Sequence, residues 1–209
     1  MAPELPKAMA FIQEISSVCK VSLAHTDADY DTAKAAFEAG ASHVTHLFNA
    51  MPPLLHRAPG MIAAAAERDD VAAELICDGV HIHESMIRLA FKLFSGRICL
   101  ISDASRVCGM PEGVYELGGQ EVIYKDGASK LQDGTIAGAA SNVFEDMRNA
   151  VRFGIPLENA VKAATETPAK EIGCFKDRGS IKTGKRADLL VLDQDLELNR
   201  VYISGKRIK

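Results

Sequence analysis

Several signals that assign a function at sight are missing from this 209-residue chain. No stretch approaches the roughly 18 apolar residues of a membrane-spanning helix, so no membrane partner is expected. No basic region precedes an apolar one near Met1, so no secretion signal is read there. Net charge is only -4, which leaves no electrostatic footprint for nucleic acid. The short basic end, Gly205 to Lys209, is interleaved with apolar residues and reads as a solvated strand end. Cys19, Cys77, Cys99, Cys108 and Cys174 form an odd set without CxxC spacing. They read as reduced thiols, two of them inside apolar runs, and imply a cytoplasmic location. There is no P-loop, no GxGxxG and no GxSxG elbow, which removes the common nucleotide-binding and serine-hydrolase readings. Internal repeats and low-complexity linkers are absent too.

What is present is a strand-helix alternation. Hydrophobic residues make up 47% and charged residues 25%, ordinary for a globular protein. Ala8, Phe11, Ile12, Ile15 and Val18 recur at helical spacing and predict a helix over residues 7–20. Strands are expected over 21–25, 43–47, 71–77 and 98–101, with helices over 30–39, 61–68 and 84–94 between them. This pitch indicates parallel βαβ units, whose chemistry gathers where strands end and loops begin. His25, His46, Asp78, His81 and Asp103 all fall there. After Gly109, Gly118-Gly119 and Asp126-Gly127 punctuate short segments as β-hairpins do. Helices follow over 142–153 and 157–164, Thr167 reads as an N-cap with Pro168 at the first helical position, and strands return after Gly179.

Neutral imidazoles are good ligands for zinc and similar ions, and a hydrolytic site needs ligands converging from different strands. His25 and His46, about one βα unit apart, would meet at one mouth; each is otherwise a surface or core histidine. Asp103 ends an apolar strand, where a carboxylate is costly unless paired or coordinated. It reads as a general base or, failing that, as the cap of a following helix. His81-Ile82-His83 invites assignment as a metal-binding pair on one strand face, but Asp78-Gly79 has already ended the strand. His81 is therefore a candidate donor to a substrate carbonyl, and His83 is expected to cap or pack. Arg57, in a proline-flanked loop, could hold a phosphate bidentately or be a solvated side chain. Residues 134–138 could bring backbone amides near a ligand, or form a plain turn.

The residues that carry a resemblance are Thr45-His46-Leu47-Phe48-Asn49-Ala50-Met51, Arg57 with Pro59-Gly60, Asp78-Gly79-Val80-His81, Ser102-Asp103-Ala104 and the closing Gly179 to Leu189 segment. In this order they resemble the N-acetylglucosamine-6-phosphate deacetylase family of amidohydrolases. The resemblance implies an α/β fold, the C-terminal part of a TIM-type (β/α)8 metal-dependent hydrolase barrel. Residues 1–178 would be the catalytic part, with a β-hairpin insertion around 113–132, and residues 179–209 a small β segment of an accessory domain. It implies a divalent metal on His25 and His46, zinc first, with iron, cobalt or manganese as alternatives. It also implies Asp103 as the proton-transfer residue, and His81 on the acetamido carbonyl. Asn49, Ala50 and Arg57 would lie at the sugar phosphate, with Ile136, Ala137 and Gly138 in a substrate-lining loop. The implied substrate is a small sugar phosphate, and the implied assembly of the complete enzyme is a homodimer.

Departures accompany the likeness. Thr26-Asp27-Ala28 replaces the usual Ser-Asn-Ala, Ser102 replaces Thr, and Arg106 is unusual near such a site. The family's metal-binding glutamate lies upstream of the segment that matches this chain, and Glu4 does not take its place. The chain is therefore expected to show little or no turnover alone. The alternatives are another amidohydrolase of the same superfamily, or an inactive barrel fragment that pairs with another chain.

Overall fold

The computed structural model describes residues 1–209. Helix α1 (Ala8–Ile15) leads into strand β1 (Ser22–Leu23), helix α2 (Tyr30–Glu38) and strand β2 (His43–Val44). Helix α3 (Gly60–Ala66), strand β3 (Ala72–Ile76), helix α4 (Glu84–Leu93) and strand β4 (Ile98–Ile101) continue the alternation. The four strands make one parallel sheet in the order β1-β2-β3-β4, so all four carboxyl ends lie along one edge. Local chemistry sets the helix starts. Asp29 accepts from the amide of Thr32 to open α2, and His83 accepts from Ser85 to open α4, the capping role expected of it.

One face of the sheet carries the helices. Leu23, Val44, Ala73, Leu75, Ile98 and Leu100 pack into a single apolar cluster with Phe37 of α2, Met61 and Ile62 of α3, and Ile87 of α4. Both faces of β3 are buried, as a parallel sheet requires. Strand residues of the opposite parity point the other way and are partly polar. His43 there is buried between Glu74, 3.3 Å from Nε2, and Glu171, 3.1 Å from Nδ1. Lys20 binds Glu171 from the outside at 2.6 Å. Burial alone would push the His43 imidazole down, but the hydrogen bonds and charges of the two carboxylates outweigh it and raise it to about 9.

A second, antiparallel sheet joins β5 (Gly113–Leu117), β6 (Gln120–Lys125), β7 (Ala128–Lys130) and β8 (Ile136–Ala139) in sequence order. Helices α5 (Val143–Arg152), α6 (Leu157–Ala164) and α7 (Glu166–Glu171) follow, α5 opened by a reciprocal capping box between Asn142 and Glu145. Strands β9 (Leu189–Leu192), β10 (Leu198–Ile203) and β11 (Lys206–Arg207) close the chain as a three-stranded sheet.

Several elements differ from the sequence expectation, each for a local reason. Helix α1 stops at Ile15, where Ser16 and Ser17 turn their hydroxyls back onto Gln13 and Glu14 carbonyls. Strands β1 and β2 have two residues each because His25 and His46 leave the extended region, with φ of 48° and 32°. Thr167 is not an N-cap. Helix α7 begins at Glu166, and Pro168 sits in its first turn, where a missing amide costs no hydrogen bond. Residues 136–138 are not a loop but part of β8, a fourth strand beyond the expected hairpin, bonded to β7 and bridged to Ala104.

Candidate functional site

The carboxyl edge of the parallel sheet collects the chemistry, and its backbone is unusual. His25, His46 and Asp103 all have left-handed φ, 48°, 32° and 50°, as do Phe48 at 76° and Ala50 at 48°. Non-glycine residues seldom adopt this region, and when they do they cluster at functional sites. Here it turns each side chain off the end of its strand.

His25 follows β1 and His46 follows β2, neighbouring strands. Their Nε2 atoms face each other at 2.9 Å, with the rings nearly perpendicular at 79°. His25 is exposed and His46 is buried. Two nitrogens on one zinc ion at about 2.0–2.1 Å each, held tetrahedrally, would stand about 3.3 Å apart. The pair therefore fits two positions of such a site after a small separation. The buried Nδ1 of His46 has no partner; a ligating imidazole ordinarily donates from that atom. No group of three or more His, Cys, Asp or Glu side chains is placed to hold an ion; the chain brings together two imidazoles and no third such side chain.

The loops around the pair are tied down. The Thr26 amide donates to the Ala50 carbonyl at 3.1 Å, joining the two histidine loops. The Thr26 hydroxyl donates to Glu4, whose other oxygen accepts from the Asp27 amide at 2.8 Å. Glu4 thus braces the His25 loop. Thr26, the departure from the usual serine, supplies the hydroxyl. The Asn49 side-chain nitrogen donates to the carbonyls of His46 and Leu47, both at 3.3 Å, leaving its oxygen free.

His81 is held from behind. Its Nδ1 lies 2.6 Å from Asp78 Oδ2, while Asp78 Oδ1 accepts from the amides of Val80 and His81, both at 2.9 Å. Burial works against the Asp78 carboxylate, yet the bonds from His81 and the two amides hold it below the usual range. An ionised Asp78 keeps a proton on Nδ1, and Nε2 has no protein partner. The Asp78-x-x-His81 spacing after a strand carried this signal, but the sequence reading gave Asp78 no role.

Asp103 departs from expectation. It is exposed, so the cost of burying a carboxylate does not bear on it, and the turn after it is not a helix for it to cap. Its carbonyl accepts from Ala139 at 3.1 Å, and Ser105 donates to Ala139 at 2.9 Å. These bonds place β8, with Ile136, Ala137 and Gly138, beside the Asp103 loop. Gly138 is required there: its φ is 83°, and a Cβ would lie 3.0 Å from that of Ser105. Arg57 stands apart from this group, exposed, against the neighbouring His56 at 2.7 Å and without a carboxylate partner. Arg106 is exposed as well.

The chain is similar to known proteins over nearly its whole length. A family model described as the amidohydrolase family matches residues 2–208. The chain is 38% identical over 201 residues to N-acetylglucosamine-6-phosphate deacetylase of Bacillus subtilis (strain 168), covering 95% of this chain and 51% of that protein. It is 36% identical to N-acetylgalactosamine-6-phosphate deacetylase of Escherichia coli O157:H7, covering 99% of this chain and 55% of that protein. The crystal structure of N-acetylglucosamine-6-phosphate deacetylase from Pasteurella multocida superposes with a TM-score of 0.93 at 34% identity, over 99% of this chain and 55% of that one. An Asp-to-Ala mutant of N-acetyl-D-glucosamine-6-phosphate deacetylase from Mycobacterium smegmatis, in complex with N-acetyl-D-glucosamine-6-phosphate, gives 0.93 at 36% identity, over 99% and 56%. The chain spans about half the length of the relatives it matches. On this match, the chain belongs to the amidohydrolase family.

Proposed function

We propose that this chain is the C-terminal part of a TIM-type barrel enzyme that removes acetate from N-acetylglucosamine 6-phosphate. The observation that carries the reading is the convergence of His25 and His46, Nε2 to Nε2 at 2.9 Å, at adjacent strand ends. The two deacetylase relatives and the two solved deacetylases support the substrate class. His25 and His46 would hold a divalent ion, zinc by preference for imidazole nitrogen. When bound, such an ion supplies Lewis-acid chemistry that makes a water nucleophilic near neutral pH.

The chain's own residues account for the rest. Asp103, exposed on the site edge, takes a proton from the attacking water and returns it to the leaving amine nitrogen. His81, fixed through Nδ1 by Asp78, presents Nε2 to the acetamido oxygen and in its imidazolium form donates to it as charge develops there. Ile136, Ala137 and Gly138 line the sugar beside Asp103. The free oxygen of Asn49, the turn at Ala50 and the guanidinium of Arg57, which has no carboxylate partner, serve the phosphate. Arg57 hydrogen-bonds His56 and none of the other site residues, which supports its use across a homodimer. The five free cysteines agree with a cytoplasmic setting.

A second substrate within the class, the galacto epimer, is favoured by the relative named for N-acetylgalactosamine 6-phosphate. Acetate release from both epimers, with zinc supplied, by the complete barrel enzyme that contains this sequence tests the reading. Asp103→Asn is expected to slow release by about 10²–10⁴-fold. Release from neither epimer, or an unchanged rate in the variant, overturns it.

A further inference from the structure

The residues after His25 are held at every amide. Thr26 donates to the Ala50 carbonyl at 3.1 Å, Asp27 to Glu4 Oε1 at 2.8 Å, and Ala28 to the Thr26 hydroxyl at 3.0 Å. The Thr26 hydroxyl in turn donates to Glu4 Oε2. Thr26 is 3% exposed, so solvent has little access to that hydroxyl. Ala50 and Thr26 belong to the two histidine loops and hold the loops to each other. Glu4 is the group in this set that comes from outside them. Met1 lies beside β1, its carbonyl accepting from Ala24 at 3.0 Å, and Glu4 follows three residues later.

What these bonds maintain is a conformation that His25 does not favour by itself. Its φ is 48°, in a region that residues with a side chain keep only where their surroundings over-determine it. The His25 side chain is exposed, so its own packing does little to hold it. With φ returned to the extended region the ring would leave the 2.9 Å approach of its Nε2 to that of His46.

We propose that Glu4 is a positioning residue for the metal site: by holding the Thr26 hydroxyl and the Asp27 amide, it keeps the left-handed turn that sets His25 against His46. Both Glu4 oxygens are taken by these two donors, so Glu4 acts through the loop and touches neither ion nor substrate. The gain is preorganisation. A loop that visits the turn only part of the time binds an ion more weakly by that fraction.

This inference rests on the reading of His25 and His46 as the metal pair, but its test does not use turnover. Cobalt(II) titrations of the complete barrel enzyme that contains this sequence, followed by visible absorption, measure the affinity. Glu4→Ala is expected to weaken binding by about tenfold. Glu4→Gln keeps one oxygen for the Asp27 amide but offers Thr26 no second acceptor, so its loss is expected to be smaller. The loss in Glu4→Ala should vanish when combined with His25→Ala, which leaves no ring to place, and persist alongside His46→Ala. In the metal-free protein, amide exchange at Asp27 and Ala28 should quicken in Glu4→Ala while the amides of β3 keep their protection. Unchanged cobalt affinity in Glu4→Ala, or a loss of equal size with and without His25, overturns the proposal. Full cobalt affinity in both His25→Ala and His46→Ala would instead refute the metal pair, and this inference with it.

Discussion

Replacing His43 by glutamine should remove a pH-dependent part of the stability that can be sized from the structure. The imidazole sits between Glu74 and Glu171 with its side chain only 10% exposed, so solvent screens the pair little. Its proton affinity rises from the ordinary 6.5 to about 9, which corresponds to about 3 kcal/mol at 1.36 kcal/mol for each unit. The folded value lies above the unfolded one, so the contribution is complete below pH 6.5 and fades as pH climbs through about 9. Other groups move in overlapping windows. The Met1 amine is lowered by burial, and Asp146 is raised, so only the difference between the two proteins isolates His43. Urea unfolding at half-unit steps from pH 6 to 10 measures it. The gap between unaltered protein and His43→Gln should narrow by about 3 kcal/mol across this range. A gap that stays constant would refute the argument, because it would mean that the ring is neutral in the folded protein and acts only by packing.

Further outcomes follow from the site and its supports. Asp146→Asn should stabilise the protein at pH 8 by up to about 4 kcal/mol and much less at pH 4, because the raised acid withdraws stability as pH rises from 3.8 through about 7; thermal melts at the two pH values decide. Gly138→Ala should cost roughly 1–3 kcal/mol in denaturant unfolding, from the left-handed φ of 83° and the 3.0 Å approach to Ser105. His25→Ala and His46→Ala should each weaken cobalt(II) binding by at least about tenfold, followed by the visible absorption of the ion; equal affinity in all three proteins would remove the pair from the metal site. Thr26→Val should loosen the His25 loop by removing the hydroxyl that Glu4 accepts, seen as faster amide exchange at Asp27.

The sequence made the sheet legible because β3 and β4 are apolar runs bounded by loop residues, and residues 98–101 came out with the bounds of β4. Helix α6 was equally plain, since Pro156 fixes its entry and its apolar spacing is regular. His25, His46, His81 and Asp103 were legible by position, each just past a strand. Their geometry was not. Left-handed backbone at a histidine depends on the amide of Thr26 finding Ala50 across two loops, which no local pattern encodes. Strand β8 was hidden for a similar reason: Gly134 and Gly138 read as loop residues, while its partners are β7 and the Asp103 loop. Asp146 sat on an ordinary amphipathic helix, and only packing reveals that its carboxylate is enclosed.

The turned backbone at His25, His46 and Asp103 has a consequence for how this site can vary. Asn, Asp and His are the side-chain-bearing residues that enter left-handed φ most readily, and they overlap with the residues that bind metals and move protons. A library randomised at these three positions would therefore be filtered twice. Valine or isoleucine would be rejected by the main chain before chemistry was consulted, whereas a change among His, Asn and Asp would keep the loop and alter the reactivity alone. New activities selected from this edge would come from that short alphabet.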